Sequence, residues 1–184
     1  MSLADVFHSI ATGSRRRRAL LTPVGLAIFA ASLLLVVLIG LLIDRLSYVP
    51  ALLPGAIGTA VGAPLLAAGS VLCAWCVVRF KRARGTPVPF NPPTELVVEG
   101  PYVWTRNPML TGVFTALFGV GVLLHSVGMV LISIPAYILV HVIHLKLVEE
   151  PELERRFGTS YSEYRGRVPM FWPHLRRGMT RRAG

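Results

Sequence analysis

Between Val24 and Ile43 the chain passes twenty residues without a charged side chain. As a helix that run is about 30 Å long, the thickness of a bilayer's hydrocarbon core. Inside that core every backbone N–H and C=O must be satisfied within the segment, so the run predicts a membrane-crossing helix. Ile57 to Val78 is a second uncharged run. The stretch from Met109 to Leu147 would measure about 57 Å as one helix, too long for a single crossing. It is predicted to fold back near His125-Ser126-Val127-Gly128, giving a short third span, Leu110 to Leu124, and a fourth that ends at Leu147.

The composition agrees. Hydrophobic residues make up 53% and charged residues 15% of the 184, against roughly a quarter charged in soluble domains. Disordered chains are poor in apolar residues, and two cysteines are too few for a disulfide scaffold. The chain therefore reads as an all-α, polytopic membrane protein, a single membrane domain over 1–184. Within it, 1–23 is a basic N-terminal segment and 24–78 holds two membrane helices. Residues 79–109 form a pocket loop, 110–147 a helical hairpin, and 148–184 a C-terminal cap with a basic tail.

The net charge of +10 is first a topology signal. Arg15 to Arg18 precede the first run; Arg79, Lys81, Arg82 and Arg84 follow the second; Arg155, Arg156, Arg165, Arg167, Arg176, Arg177, Arg181 and Arg182 follow the fourth. The first connection sets one Arg45 beside Asp44, and the third-to-fourth turn has no Lys or Arg. All clusters fall on one side only with an even number of spans, which places both termini in the cytoplasm. Leu3, Val6, Phe7 and Ile10 stand at helical spacing, so residues 1–14 are either an interfacial helix or a frayed tail. The first run is too long for a cleaved signal sequence. No aromatic-basic module accompanies the arginines, so no nucleic-acid partner is expected.

Several motifs carry packing rather than chemistry. Cys73-Ala-Trp-Cys76 has redox spacing but sits in an apolar helix, where a thiol behaves as a small hydrophobe. Gly58-Thr-Ala-Val-Gly62 favours close helix packing, inside the bundle or between copies. His141 and His144 share a helix face, but no second pair or acidic set joins them, so no metal is expected.

The informative stretch is Gly85 to Gly112. Prolines at 87, 89, 92 and 93 forbid a regular helix. Yet the segment is apolar, with Val88, Phe90, Leu96, Val97, Val98, Tyr102, Val103 and Trp104. Irregular backbone beside a membrane is buried in protein or lines a cavity, so it reads as a pocket wall or as a rigid loop on the helix ends. Next come Arg106-Asn107-Pro108-Met109. Asn107 suits an N-cap and Pro108 a first turn, and free amides at the helix start would seat a carboxylate. Arg106 is either a carboxylate binder or a snorkelling anchor. The fourth helix leaves through Leu147-Val148-Glu149-Glu150-Pro151, where Pro151 predicts a kink. Glu149 and Glu150 either face a ligand ammonium or hydroxyl, or make surface pairs such as Glu150 with Lys146. Phe157, Tyr161, Tyr164, Val168, Phe171 and Trp172 make an amphipathic aromatic cap.

In this order the pieces resemble the isoprenylcysteine carboxyl methyltransferase and phospholipid methyltransferase superfamily of integral membrane enzymes. The resemblance covers Gly85 to Pro173. It rests on Gly100-Pro101-Tyr102, Arg106-Asn107-Pro108-Met109-Leu110-Thr111-Gly112, Glu149-Glu150, Phe157-Gly158, Tyr161, Tyr164 and Val168-Pro169. Asn107 stands where the family has histidine, and Leu110 where it has tyrosine. Asparagine hydrogen-bonds but is no base near neutral pH.

The resemblance implies S-adenosylmethionine as cofactor. It implies an adenine slot over Leu96, Val97, Val98, Gly100, Pro101 and Tyr102. The cofactor carboxylate would lie on Arg106, Asn107, Pro108, Met109 and the helix start through Gly112. Its ammonium or ribose would lie on Glu149 or Glu150. Arg106, Glu150 and Arg165 are the expected catalytic group, Arg165 orienting an acidic head group. The acceptor is expected to be lipophilic, a small molecule or lipidated substrate reaching the site through membrane lipid. A carboxylate acceptor needs no base and is favoured over a phospholipid amine. The competing readings are an NADPH-dependent membrane lipid or steroid reductase and a non-enzymatic membrane adaptor.

Overall fold

The computed structural model describes residues 15–48, 50–53, 55–82 and 96–171, with side chains from residue 22. The expectations for residues 1–14, for the prolines at 87–93 and for Trp172 lie outside the described residues. Helix α1 spans Arg15–Ser47, α2 Gly55–Arg82 and α3 Pro108–Leu123. Helix α4 runs unbroken over Met129–Phe157, and α5 covers Thr159–Arg167. One tight turn, Gly100–Val103, precedes α3. Among the described residues there is no strand.

Thr22–Ser47, Gly55–Arg82 and Met129–Phe157 are each long and apolar enough to cross a membrane. Helix α3 is the short one, sixteen residues or about 24 Å. It reverses into α4 at the expected place, with His125 at a φ of 54° closing the turn.

Small residues decide which helices touch. Gly62 and Gly69 of α2 face Gly112 and Gly119 of α3. A Cβ on Gly62 would stand 2.9 Å from the Gly119 carbonyl oxygen, and one on Gly112 would stand 2.8 Å from that of Gly69. The two backbones therefore approach closely along most of α3, the usual role of such glycines between membrane helices. The Gly58-to-Gly62 motif packs within the chain, since Gly58 lies under the His125 ring.

Helix α1 is fastened to α4 instead. The Asp44 carboxylate accepts from the Gly128 amide at 2.6 Å and from the Ser126 hydroxyl. A negative charge there complements the amino end of α4. Deeper in, the Ser32 and Tyr137 hydroxyls share a hydrogen bond at 2.9 Å. Val36, Val113, Phe114, Leu117, Met129 and Ile134 form the core between α1, α3 and α4.

Helix α4 holds two π turns, Met129–Ser133 and Leu145–Glu149. Each ends two residues before a proline, at 135 and 151. A proline lacks the N–H its helix would use, and a π turn redistributes the bonds around it. The kink was expected at Pro151; the second π turn stands just before it, and the helix continues to Phe157.

Candidate active site

At the end of the bundle where α3 begins and α4 emerges, three chain segments meet. The first is Thr105-Arg106-Asn107, entering α3. A second segment, Val168 to Met170, leaves α5 and lies alongside it. The Arg106 amide donates to the Pro169 carbonyl at 2.8 Å and the Asn107 amide to that of Met170 at 3.2 Å. The Thr105 hydroxyl donates to the same Met170 carbonyl at 2.7 Å. The third segment is the exit of α4, with Glu149 and Glu150.

Arg106 ties them together. Its Nη1 lies 2.6 Å from Glu150 Oε1 and also donates to the Tyr161 hydroxyl at 3.1 Å. Its Nε donates to the Val168 carbonyl at 3.0 Å. The arginine and glutamate side chains are 11% and 15% exposed, so this pair is neither a surface contact nor a lipid anchor. Arg165 reaches the other Glu150 oxygen at 3.8 Å and binds Glu154 at 2.6 Å. Glu150 is thus held by two arginines, and not by Lys146. Arg156 pairs with Glu152 one turn along α4, at 3.3 Å.

Glu149 is placed differently. It is half-buried next to this network. Its carboxylate makes no hydrogen bond or ion pair to another described residue. Adjacent helix positions point about 100° apart, so only one of two neighbouring acids can face Arg106.

The wall is aromatic. Tyr161 and Tyr164 are the buried residues of α5. Tyr164 donates to the Tyr102 carbonyl at 2.7 Å, closing α5 over the Gly100–Val103 turn. Burial, opposed by the Arg106 charge and helped by Glu150, pushes the Tyr161 hydroxyl up to about 12. It is therefore protonated at neutral pH and keeps its own proton to donate while accepting from Arg106. Burial also raises Tyr164 and Tyr102. Pro101 and Tyr102 are buried, Leu96, Val97 and Gly100 half-buried, and Val98 exposed. Gly100 has a φ of 62°, and a side chain there would meet Arg79, itself paired with Glu99 at 3.3 Å. Only glycine fits that turn without strain.

The structure brings together Arg106, Asn107, Glu150 and Arg165, with Pro108, Met109 and Gly112 on the first turns of α3. Asn107 stands at the N-cap as expected, but its side chain does not cap. Its Nδ2 donates to the Met170 carbonyl at 3.3 Å. The first amides of α3 thus have no side-chain cap. His141 is spent elsewhere: its Nδ1 donates to the Tyr137 carbonyl at 3.0 Å, and its ring packs on Tyr137 and Phe114. Cys73 donates its thiol to the Met109 carbonyl at 3.5 Å. Sequence reasoning missed Thr105 and the Val168–Met170 carbonyls. Backbone acceptors leave no side-chain signal, although the proline at 169 hints at an extended segment.

A family model described as phospholipid methyltransferase matches residues 57–160. The match runs from α2 through Arg106, Glu149 and Glu150 to the start of α5. No curated protein and no solved structure matches the chain.

Proposed function

The chain belongs to the phospholipid methyltransferase family and is an integral membrane protein, and on that premise we propose that it transfers a methyl group from S-adenosylmethionine to a lipophilic acceptor. The observation that carries this reading is the Arg106–Glu150 pair joining α3 to α4 beside a half-buried Glu149 that makes no hydrogen bond or ion pair to another described residue.

The residues present fit the cofactor's charged end. Glu149 offers a carboxylate for an ammonium. Arg106 keeps its Nη2 free of described partners, next to the uncapped start of α3, and that combination suits a carboxylate. Leu96 and Val97, both half-buried, offer apolar surface for a base. When bound, the cofactor supplies an electrophilic methyl on a sulfonium. Glu150 acts as a positioning residue, holding Arg106 in one rotamer. Tyr161 completes that hold. Arg165, 42% exposed at the mouth, attracts an acidic head group. Transfer from a sulfonium disperses charge, so the chain's work is alignment and exclusion of water.

A carboxylate acceptor is favoured over an amine. The carboxylate is already nucleophilic, whereas an amine must first be neutral. Asn107 cannot take a proton, and His141 has its Nδ1 committed to a helix carbonyl. We assign four membrane passages with both ends in the cytoplasm, which places the site on the cytoplasmic side, where S-adenosylmethionine is available.

Calorimetric titration of the purified protein with S-adenosylhomocysteine and with NADPH tests the reading. Binding of the first alone is expected. Binding of NADPH alone would move the chain to the reductases, and binding of neither would make it an adaptor.

A further inference from the structure

The Gly100–Val103 turn lies along the last turns of α2. A side chain on Gly100 would meet Arg79 and the Trp75 indole nitrogen. Tyr102 sets its ring edge-on to Phe80 with centroids 5.7 Å apart, and Trp104 sets its ring edge-on to Trp75 at 5.9 Å. The outward side of this segment is apolar. Val103 and Trp104 are each more than half exposed, and Trp75 beside them is exposed as well. We propose that Trp75, Val103 and Trp104 form a wedge that inserts the turn into the boundary between head groups and acyl chains of the membrane that α2 crosses. The wedge rests on the membrane passage of α2; only its consequence for the acceptor rests on the methyltransferase reading above.

Depth follows from α2. Its uncharged run ends at Val78, and Arg79, Lys81 and Arg82 stand in its last turn, so the helix leaves the hydrocarbon there. Trp75 stands four residues before Arg79, about 6 Å deeper along the axis. The turn therefore lies across the boundary, where tryptophan, with its apolar body and polar N–H, collects. The Arg79–Glu99 pair, with Glu99 largely exposed, marks the polar edge of the wedge.

The backbone separates lipid from water as the occupant. A loop in water can leave its amides to solvent, whereas one facing hydrocarbon must satisfy them within the chain. The Tyr102 amide donates to the Glu99 carbonyl, those of Trp104 and Thr105 to that of Pro101, and those of Arg106 and Asn107 to those of Pro169 and Met170. Pro101 has no amide to satisfy, and the Tyr102 carbonyl accepts from Tyr164. Polar backbone is turned inward and apolar side chains are turned outward. Charge separates lipid from a second copy: Lys81 and Arg82, exposed at the adjacent end of α2, attract anionic head groups and repel the same face of another chain. Arg106 follows Trp104 by two residues, so the wedge also sets the depth of the Arg106–Glu150 pair. On the methyltransferase reading, the acceptor's reacting group is met at head-group level.

Trp104 fluorescence tests the wedge. Trp75→Phe with Trp172→Phe leaves Trp104 as the only tryptophan of the full chain. The protein is placed in vesicles of phosphatidylcholine and phosphatidylglycerol, with bromine either high on the acyl chains or near their ends. Leu139→Trp, on an exposed face of α4 and with the native tryptophans changed to Phe, is the reference for the membrane interior. Trp104 emission should fall about twofold with shallow bromine and less with deep bromine, since such a wedge sits about 5–10 Å into the boundary. The Leu139→Trp reporter should show the reverse order. Iodide in the buffer should quench Trp104 far less than free N-acetyltryptophanamide. Val103→Asp, at a mostly exposed position, should abolish the bromine quenching of Trp104, admit iodide, and leave the Leu139→Trp reporter unchanged. Iodide quenching of Trp104 equal to that of the free amide puts the turn in water and overturns the proposal. Quenching by neither agent overturns it too, since another part of the chain or a second copy then covers the wedge. So do deep bromine as effective as shallow, and a Val103→Asp variant in which Trp104 behaves as before. Calorimetry with S-adenosylhomocysteine on the same vesicles separates the two readings. Cofactor binding with Trp104 in water sinks the wedge alone. Trp104 quenched as expected without cofactor binding removes the methyltransferase reading and the acceptor's depth, and leaves the wedge standing.

Discussion

Arg106 and Glu150 stand 44 positions apart in the chain and 2.6 Å apart in the structure, each shielded from solvent on most of its surface. The pair bolts the start of α3 to the exit of α4. The adjacent Glu149 makes no hydrogen bond or ion pair to another described residue.

The two glutamates should therefore fail differently. Glu150→Gln leaves the Arg106 charge buried and poorly compensated, and should cost about 2–3 kcal/mol of stability, below the fully buried range because both groups keep some solvent contact. Glu149→Gln should change stability by less than about 0.5 kcal/mol. It should weaken S-adenosylhomocysteine binding by about 10–100-fold, the worth of a hydrogen bond to a charged group. Thermal unfolding in detergent and calorimetry read both. The opposite pattern would remove Glu149 from the site.

Gly69→Ala and Gly119→Ala test the packing of α2 on α3. Each adds a methyl where backbone atoms of the other helix already stand in contact. Overpacking of this kind costs about 1–3 kcal/mol. Gly166→Ala, with open space around it, is the control and should be near neutral. Equal unfolding temperatures for all three would mean the helices are not packed as described.

Tyr164→Phe removes the hydroxyl that donates to the Tyr102 carbonyl. The loss should be about 1–1.5 kcal/mol, a typical single hydrogen bond. The Gly100–Val103 turn should become more accessible to protease. Unchanged proteolysis there would show that α5 does not hold the turn.

Alkaline unfolding reports on Tyr161. Its hydroxyl titrates near 12 when folded and near 10 when unfolded. Between those values the unfolded chain binds fewer protons, so stability is fully present below about pH 10 and falls as pH rises towards 12. Tyr161→Phe should flatten that fall. An identical alkaline slope in the variant would show that Tyr161 is not buried against Arg106.

The membrane helices were legible because long uncharged runs admit few other structures. Asp44 marks what was not. It looked like half of a neutral pair with Arg45, but its partners are a backbone amide and a hydroxyl eighty residues on. Arg106, Glu149 and Glu150 stood out as charges beside apolar helices. Which of the two glutamates meets Arg106 did not, because pairing within one helix left Glu150 an alternative partner in Lys146. A turn of π geometry changes the facing of all that follows, and no periodicity in the sequence announces it.

That π turn at Leu145–Glu149 makes the site a matter of counting. Its extra residue advances the rest of α4 by about 100° relative to a plain helix. It therefore fixes which of two identical side chains meets the arginine and which does not. Straightening the turn to α geometry at constant length would preserve every charged group near the mouth and rotate both glutamates together, carrying Glu150 off Arg106. Chemical identity at this site is set by rotation about a helix axis, and the helix carries its own means of resetting it.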